Sequence, residues 1–340
     1  METSEPGPAS RPEMTKLDQP PSGLSRRHVL GLGAAFMLGA CSPALRGQNL
    51  LSAYPVAGRM MLVQGHKVHV HVAGRGPDVI LLHGASANLR DFTFDLVGRL
   101  SGGFRTIAFD RPGLGYSDSI DPEGESPAEQ AALLDAAAAQ FGVRRAIVLG
   151  HSYGAAVAMA WAVYHPQRVA AAVTLSGVTM PWPGGLGPLN PILSSDLGGA
   201  TLAPLLSALV PRQTAAKAVR IFFAPQAVPP GYAAHVGVDL ALQPSIIRAN
   251  ARQIAILKPH IIAQAAQYPR VAIPVEVVHG TADRIVPSAR HAAPFADTLP
   301  DARLTLLPGV GHMPHHVRLD RVVAIIRRAA HRAGLRPGRR

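Results

Sequence analysis

Short, largely apolar runs recur along the chain and alternate with longer stretches of helical character. Examples are 79–82 (Val-Ile-Leu-Leu), 146–149 (Ala-Ile-Val-Leu) and 171–175 (Ala-Ala-Val-Thr-Leu). Uninterrupted runs of this kind are typical of strands that are buried on both faces of a parallel sheet. Strands that alternate with helices therefore predict an α/β fold with crossover helices.

This alternation stops after residue 177 and resumes near Val275. The intervening segment starts with a Pro/Gly-rich stretch at 181–185 and continues with several short helical patterns. We interpret it as a helical insert in one catalytic core. The predicted organisation is a first core part at 56–177, a helical cap at 178–266, a second core part at 267–332 and a basic tail at 333–340.

The strand at 146–149 leads into a candidate nucleophile. Ser152 follows in Gly150-His151-Ser152-Tyr153-Gly154, and an Ala-rich helical stretch comes next. A strand joined to a helix through G-x-S-x-G lifts the serine hydroxyl above the sheet on a tight, strained turn. The flanking positions need glycine because side chains there would collide with the neighbouring backbone.

An acid and a histidine follow further along the chain, each just after a predicted strand. Asp283 comes after the strand at 274–280, and His312 comes after the strand at 303–307. The carboxyl ends of parallel strands meet at one edge of a sheet, where such folds assemble their sites. We therefore expect Ser152 to attack, His312 to take and return its proton, and Asp283 to orient the imidazole.

With these residues the chain resembles the α/β-hydrolase-fold serine hydrolases over roughly residues 56 to 332. The segment 79–86 resembles the family's strand and His-Gly oxyanion loop, 109–118 resembles its D-x-x-G-x-G-x-S loop, and Pro287 matches the end of its acid loop. The resemblance implies a mostly parallel eight-stranded sheet with helices on both faces and an inserted helical cap.

The resemblance also assigns supporting residues. The backbone N–H groups of Ala85 and Tyr153 would form the oxyanion hole. Asp110 would hold loops near the site rather than act as an acid. The residues expected to shape the site are His83, Gly84, His151 and Asp110.

Departures from related groups narrow the expected reaction. Relatives that open epoxides or cleave carbon–halogen bonds use aspartate as nucleophile, whereas this chain has Ser152. The expected reaction is therefore hydrolysis of small or medium carboxylic esters, thioesters or lactones. Alternatives on the same triad are C–C hydrolysis of diketone-type acids and a cofactor-free perhydrolase activity. A non-catalytic, envelope-anchored binding protein is the rival from another class, and the intact triad argues against it.

The aromatic residues of the predicted cap leave two interpretations open. They either line an apolar acyl pocket or pack the cap onto the core. These residues are Trp182, Phe222, Phe223 and Tyr232.

The N-terminal residues resemble a bacterial export signal. Arg26-Arg27 resembles a twin-arginine motif and precedes a short uncharged apolar run at 29–40. The run is too short to span a bilayer and suits a signal segment. It ends in Leu-Gly-Ala-Cys41, which resembles a lipoprotein box. We predict an export signal at 1–40, a lipidated Cys41, a tether at 41–55, and a protein anchored in the cell envelope.

Cys41 is the single cysteine of the chain, which excludes an intrachain disulfide and fits an anchor. The formal net charge is +12, and an arginine-rich solvated surface explains it most simply. Basic residues in the predicted cap also suggest a hypothesis of anionic substrates or lipid headgroup contact. No nucleic-acid-binding motif accompanies the charge, so no nucleic-acid partner is expected.

Two histidine clusters raise the question of a metal. One comprises His66, His69 and His71, and the other starts at His312 and includes His315 and His316. Neither has a cysteine or a carboxylate nearby in the sequence at ligand spacing, so no metal is expected. The triad needs no cofactor. The expected partners are a small ester-like substrate and the membrane, and the sequence leaves the oligomeric state open.

Overall fold

A computed structural model of the chain describes residues 52–185 and 189–338. The predicted export signal, Cys41 and most of the tether lie outside these residues. The described core is built on an eight-stranded sheet with the order β1-β2-β4-β3-β5-β6-β7-β8. The pairs β1–β2 and β2–β4 are antiparallel, and the remaining neighbours are parallel. The predicted fold class is therefore confirmed.

The central strands are buried along their whole length, which explains their continuous apolar sequences. In the edge strand β8, by contrast, every residue except Leu307 is exposed or partly exposed. The strands are β1 Arg59–Val63, β2 His66–Ala73, β3 Asp78–Leu82, β4 Arg105–Phe109, β5 Ala146–His151, β6 Val169–Leu175, β7 Val275–Gly280 and β8 Ala302–Leu307.

Helices of the core pack on the sheet. The helix that follows β5 is apolar all round and almost fully buried, because it packs between the sheet and a neighbouring helix. The core helices are α1 Arg90–Thr93, α2 Leu96–Leu100, α3 Pro127–Gln140, α4 Tyr153–Tyr164, α10 Ser288–His291, α11 Ala293–Thr298, α12 Pro314–Val317 and α13 Leu319–Arg332.

The segment between β6 and β7 is helical, and its helices fall within the predicted range 178–266. We call residues 189–265 the cap. Its helices are α5 Leu189–Ser194, α6 Asp196–Leu209, α7 Arg212–Phe223, α8 Tyr232–Val236 and α9 Pro244–Ala265. No helix among the described residues combines the length and apolar character needed to cross a membrane.

Candidate active site

Ser152 lies on a strained turn between β5 and α4. Its φ of 53° and ψ of −116° are unusual for a residue with a side chain. A Cβ atom on Gly150 would lie 2.1 Å from the carbonyl oxygen of Gly154, and one on Gly154 would lie 2.1 Å from that of Leu82. Both glycines are therefore required by close backbone approach, as the G-x-S-x-G pattern predicts.

The structure brings His312 and Asp283 together, although 29 residues separate them in the sequence. The distance from His312 Nδ1 to Asp283 Oδ2 is 2.7 Å. The other carboxylate oxygen accepts hydrogen bonds of 2.9 Å from the backbone N–H groups of Ile285 and Val286. These contacts fix the carboxylate, so that it can hold the imidazole in one orientation and tautomer.

Asp283 is buried and ionised. Burial by itself would raise the pKa of Asp283, but hydrogen bonds from His279 and His312 outweigh it and hold the pKa well below its ordinary value. The carboxylate therefore carries a negative charge at neutral pH, and this charge would stabilise a cationic form of His312.

His279 is a supporting residue that the sequence did not indicate. Its Nε2 lies 2.7 Å from the carbonyl oxygen of Val286 and 3.3 Å from Asp283 Oδ2. Its position four residues before Asp283, at the end of β7, is the signal that could have identified it. The side chain braces the loop that carries the acid.

Ser152 and His312 line the same cavity, beside the end of β5. In the part of the chain that the structure describes, no hydrogen bond joins the Ser152 hydroxyl to the imidazole. Such bonds often close only when substrate binds.

The two backbone N–H groups expected to form an oxyanion hole belong to residues near Ser152. Ala85 lines the cavity, and Tyr153 is the first residue of α4, directly after Ser152. Neither N–H donates to another described protein group. Both groups therefore remain available to an oxyanion.

A buried arginine supports the loop that begins at His83 and Gly84. Arg111 Nε donates to the carbonyl of His83 at 2.8 Å, and its Nη2 donates to that of Gly84 at 3.1 Å. Its guanidinium lies over the Tyr153 ring at 4.3 Å. Burial lowers the pKa of Arg111 to about 10, so the group stays protonated at neutral pH. The sequence analysis did not identify this residue.

His83 and Gly84 shape the loop as well. The backbone N–H of Arg111 donates to His83 Nε2 at 3.0 Å, and His83 Nδ1 lies 2.9 Å from the carbonyl of Gly84. Burial, and secondarily the charge of Arg111, lowers the pKa of His83 to about 4. The neutral imidazole is therefore a fixed structural bridge between two loops.

Asp110 lies behind the site and connects several segments. It accepts hydrogen bonds from the backbone N–H of Leu89 at 2.7 Å and of Tyr116 at 2.9 Å. Its Oδ2 also lies 2.6 Å from His69 Nδ1, and its backbone carbonyl accepts from the Ser117 hydroxyl. These contacts are those of a residue that holds loops, and Asp110 is not among the residues that line the cavity.

His151, the residue before Ser152, contacts the loop that carries His312. Its Nε2 lies 2.9 Å from the carbonyl oxygen of His312. Burial holds the pKa of His151 well below its ordinary value, so the ring is neutral and its Nε2–H donates to that carbonyl. His151 therefore helps to fix the backbone of His312.

Above Ser152 lies a cavity of about 420 Å³ between the cap and the core. Phe222, Phe223 and Tyr232 line it, together with aliphatic residues of α7 and of the segment 236–242. Trp182 does not, because its ring packs 6.2 Å from that of His291 and borders a separate cleft. Phe222 therefore fits the pocket interpretation, whereas Phe223 and Tyr232 line the cavity and also pack against Met313 and Phe94 of the core.

The basic residues of the cap do not line this cavity. No arginine or lysine is among its lining residues in the described ranges. Arg248 and Arg252 instead pair with Asp196 at the surface of the cap. The observed contacts thus give no support to an anionic substrate.

The cavity wall does contain one carboxylate, Asp91. Its oxygens lie 3.0 Å from His315 Nε2, 2.8 Å from His316 Nε2 and 2.7 Å from the Tyr232 hydroxyl. No local sequence signal marks this cluster, because Asp91 lies 224 residues before His315.

Known proteins agree with this architecture. The model of the family described as alpha/beta hydrolase fold matches residues 77–319. The pimeloyl-[acyl-carrier protein] methyl ester esterase of Edwardsiella ictaluri is 32% identical over 265 residues, which cover 72% of this chain and 90% of the relative. A shorter match, 34% identical over 116 residues, links the chain to a putative non-heme haloperoxidase of Mycobacterium phage D29, and covers 34% of this chain and 41% of the relative.

Among solved structures, a thermophilic esterase from Thermogutta terrifontis superimposes with a TM-score of 0.65 at 20% identity. The superposition covers 81% of this chain and 99% of the esterase. At this identity the likeness concerns the fold. Together with the family match over most of the sequence, it shows that the chain belongs to the alpha/beta hydrolase fold family.

Proposed function

We propose that the protein is a serine hydrolase that cleaves small or medium carboxylic esters through an acyl-enzyme. The observation that carries this proposal is the position of Ser152 at the floor of an apolar cavity, with the buried His312–Asp283 pair beside it. The ester-cleaving relative from Edwardsiella ictaluri supports an ester over other acyl substrates.

In the proposed reaction, Ser152 attacks the ester carbonyl while His312 Nε2 takes the hydroxyl proton. The oxyanion is stabilised by the backbone N–H groups of Ala85 and Tyr153. His312 then gives the proton to the leaving alkoxide, and an alcohol departs. A water molecule activated by His312 hydrolyses the acyl-enzyme, which releases the carboxylic acid and restores the serine.

The cavity favours a neutral, apolar group next to the scissile bond. Val219, Phe222, Val238 and Leu242 are among its lining residues, and Asp91 is the one acidic side chain in its described lining. An anionic substituent would lose hydration there and would meet no lysine or arginine among the described lining residues. Neutral acyl chains are therefore expected to react faster than carboxylate-bearing esters of the same length.

A panel of neutral esters with rising acyl length tests the proposal on the chain that begins after residue 41. Ser152→Ala should lower kcat by roughly 10⁴–10⁶ while the fold is retained. Ser176→Ala is a matched control, because Ser176 is also buried at a strand end with a positive φ of 47° and does not line the cavity. The control should keep near-wild-type turnover.

Two other outcomes would favour one of the alternative functions. Turnover of diketone-type acids without ester turnover would favour the C–C hydrolase alternative. A folded wild-type protein that turns over neither class, yet binds an apolar ligand equally well with Ser152→Ala, would favour a binding protein.

We further propose that the protein is exported and anchored by a lipid on Cys41. The supporting observation is the order Arg26-Arg27, apolar run, Leu-Gly-Ala-Cys41 in the sequence. In a bacterial host, Cys41→Ser should abolish incorporation of labelled fatty acid. Replacing Arg26 and Arg27 with lysine should retain the protein in the cytoplasm, whereas Arg11→Lys should not. Membrane attachment that survives Cys41→Ser would contradict the anchor.

A further inference from the structure

Beside the proposed active site lies a buried group of one carboxylate and two histidines. Asp91 belongs to α1, and His315 and His316 belong to α12. The carboxylate Oδ2 lies 3.0 Å from His315 Nε2, and Oδ1 lies 2.8 Å from His316 Nε2. One ligand atom from each of the three residues lies within 4.8 Å of the other two.

A third histidine borders the same group. His151 Nδ1 lies 4.0 Å from Asp91 Oδ2, is buried, and has no hydrogen-bond partner in the described structure. Its other nitrogen, Nε2, donates to the carbonyl of His312. This bond fixes the ring in the tautomer that leaves a lone pair on Nδ1. A backbone carbonyl on the far nitrogen is the usual support of a metal-binding histidine.

We propose that Asp91, His315 and His316, with His151 as a fourth ligand, bind one divalent transition-metal ion of the zinc type. Imidazole nitrogens and a carboxylate are preferred ligands of zinc, and three or four of them form most protein zinc sites. The proposal is independent of the proposed hydrolase function, since it assigns no catalytic step to the ion.

The distances within the group suit this assignment. Zinc bonds to nitrogen and oxygen are roughly 2.1 Å long, so neighbouring ligands lie about 3.0 Å apart at a right angle and about 3.4 Å apart in a tetrahedral site. The observed nitrogen–oxygen distances of 3.0 and 2.8 Å are near the lower value, so a small outward movement of the side chains would admit the ion. Each imidazole faces a different oxygen of Asp91, which fits a carboxylate that uses both oxygens.

The surroundings also favour a cation. Asp91 is buried, and within the described ranges no lysine or arginine pairs with it. A bound divalent ion would compensate its charge. The Tyr232 hydroxyl donates to Asp91 Oδ1 at 2.7 Å and orients the carboxylate. Asp91 and His151 also line the cavity, which gives an ion a route of entry.

One feature limits the expected affinity. The Nδ1 atoms of His315 and His316 have no hydrogen-bond partner among the described residues. Missing supports of this kind commonly weaken a metal site 10- to 100-fold. We therefore expect a dissociation constant nearer micromolar than nanomolar.

Zinc titration of the untagged chain that begins after residue 41, by calorimetry and by competition with a chromogenic chelator, tests the site. Wild-type protein should bind one Zn²⁺ per chain. Asp91→Asn and His316→Gln should each weaken binding at least tenfold. His331→Gln replaces an exposed histidine of α13 and should bind like wild type.

Cobalt provides a measurement that does not depend on how well the variants fold. Co²⁺ added to folded wild-type protein should produce visible absorption bands of a four- or five-coordinate nitrogen and oxygen site, and Zn²⁺ should remove them. Absence of these bands, no zinc binding by wild type, or full affinity in folded Asp91→Asn or His316→Gln would overturn the proposal. The group would then be a hydrogen-bonded cluster only.

Discussion

Two buried aspartates lie near Ser152, and each contacts histidines at similar distances, but their remaining partners differ. Asp283 receives two backbone N–H groups in addition to His312. Asp91 receives only side chains in the described structure, from His315, His316 and Tyr232. Backbone N–H groups fix the carboxylate of Asp283, whereas the carboxylate of Asp91 is held by side chains that could rearrange around a ligand.

An aspartate paired with histidine can therefore either orient a base or hold an ion, depending on its other partners. Backbone donors preorganise Asp283, so the His312 ring keeps one tautomer without further adjustment. In the cluster around Asp91, His151 Nδ1 lies 4.0 Å from the carboxylate and has no hydrogen-bond partner in the described structure. A carboxylate that faces two histidines and such a free nitrogen is better suited to holding an ion than to orienting a single base.

The largest expected effect comes from Asp283→Asn. The amide keeps the shape of the side chain, but its NH₂ group would face His312 and favour the wrong tautomer. We expect kcat for a neutral ester to fall by about 10⁴ with the fold intact. Steady-state kinetics together with circular dichroism measure this. A fall of less than tenfold would show that another acid orients His312.

His291 differs from the histidines around Asp283 and Asp91, because no carboxylate pairs with it in the described structure. Burial, and secondarily the neighbouring His279, lowers the pKa of His291 to about 4. The unfolded chain therefore binds more protons than the folded chain between pH 6.5 and 4, and stability contributed by this group is lost as the pH falls through that range.

Urea unfolding at pH 7 and pH 4 measures this loss. At about 1.4 kcal/mol for each pKa unit, His291 contributes up to about 3 kcal/mol of acid sensitivity. His291→Asn retains an acceptor for the backbone N–H of Met180, which His291 Nδ1 accepts at 3.2 Å. The variant should therefore lose less stability on acidification than wild type. Equal losses would contradict the expected shift.

Zinc should stabilise the Asp91 cluster, because a ligand that binds only the folded state raises its stability. At a free zinc concentration of one hundred times the dissociation constant, the gain is about 2.7 kcal/mol. We expect a rise in Tm of roughly 5–10 °C for wild type and no comparable rise for His316→Gln. Calorimetry with and without a chelator measures this rise. A wild-type Tm that does not change when zinc is added would argue against the site.

The smallest effect is expected at His279, which supports Asp283 from the side. His279→Ala removes the hydrogen bond to the carbonyl of Val286 and loosens the acid loop. A bond of this kind contributes about 1 kcal/mol, so kcat should fall by tenfold or less, with KM little changed. A larger change in KM than in kcat would place His279 in substrate binding instead.

Local sequence signals were sufficient for the fold and for the elements that carry the proposed triad. The runs before Ser152, Asp283 and His312 form β5, β7 and β8 nearly as predicted. They were recognisable because buried parallel strands have continuous apolar sequences and the strained turn requires glycines, and both patterns span only a few residues.

Contacts between distant segments could not be predicted in this way. The expectation of no metal considered only sequence neighbours of the histidines, whereas Asp91 reaches His315 and His316 across more than 200 residues. Arg111 gave no sign of its role, because its carbonyl partners lie on another loop.

The cap shows the same limit. The composition of the insert did not reveal which aromatic residues face the cavity, and Trp182, which lies in the loop before the cap, borders a separate cleft. The direction in which such a side chain points depends on how its segment packs, and spacing along the chain does not determine it.

The activation of Ser152 is tested most directly by covalent labelling with a fluorophosphonate and mapping of the adduct by mass spectrometry. A single adduct on Ser152, formed at a rate that collapses in His312→Ala and is unchanged in Ser176→Ala, is the predicted result. A folded protein that shows no adduct, or labelling of Ser152 at the same rate without His312, would contradict an activated serine nucleophile.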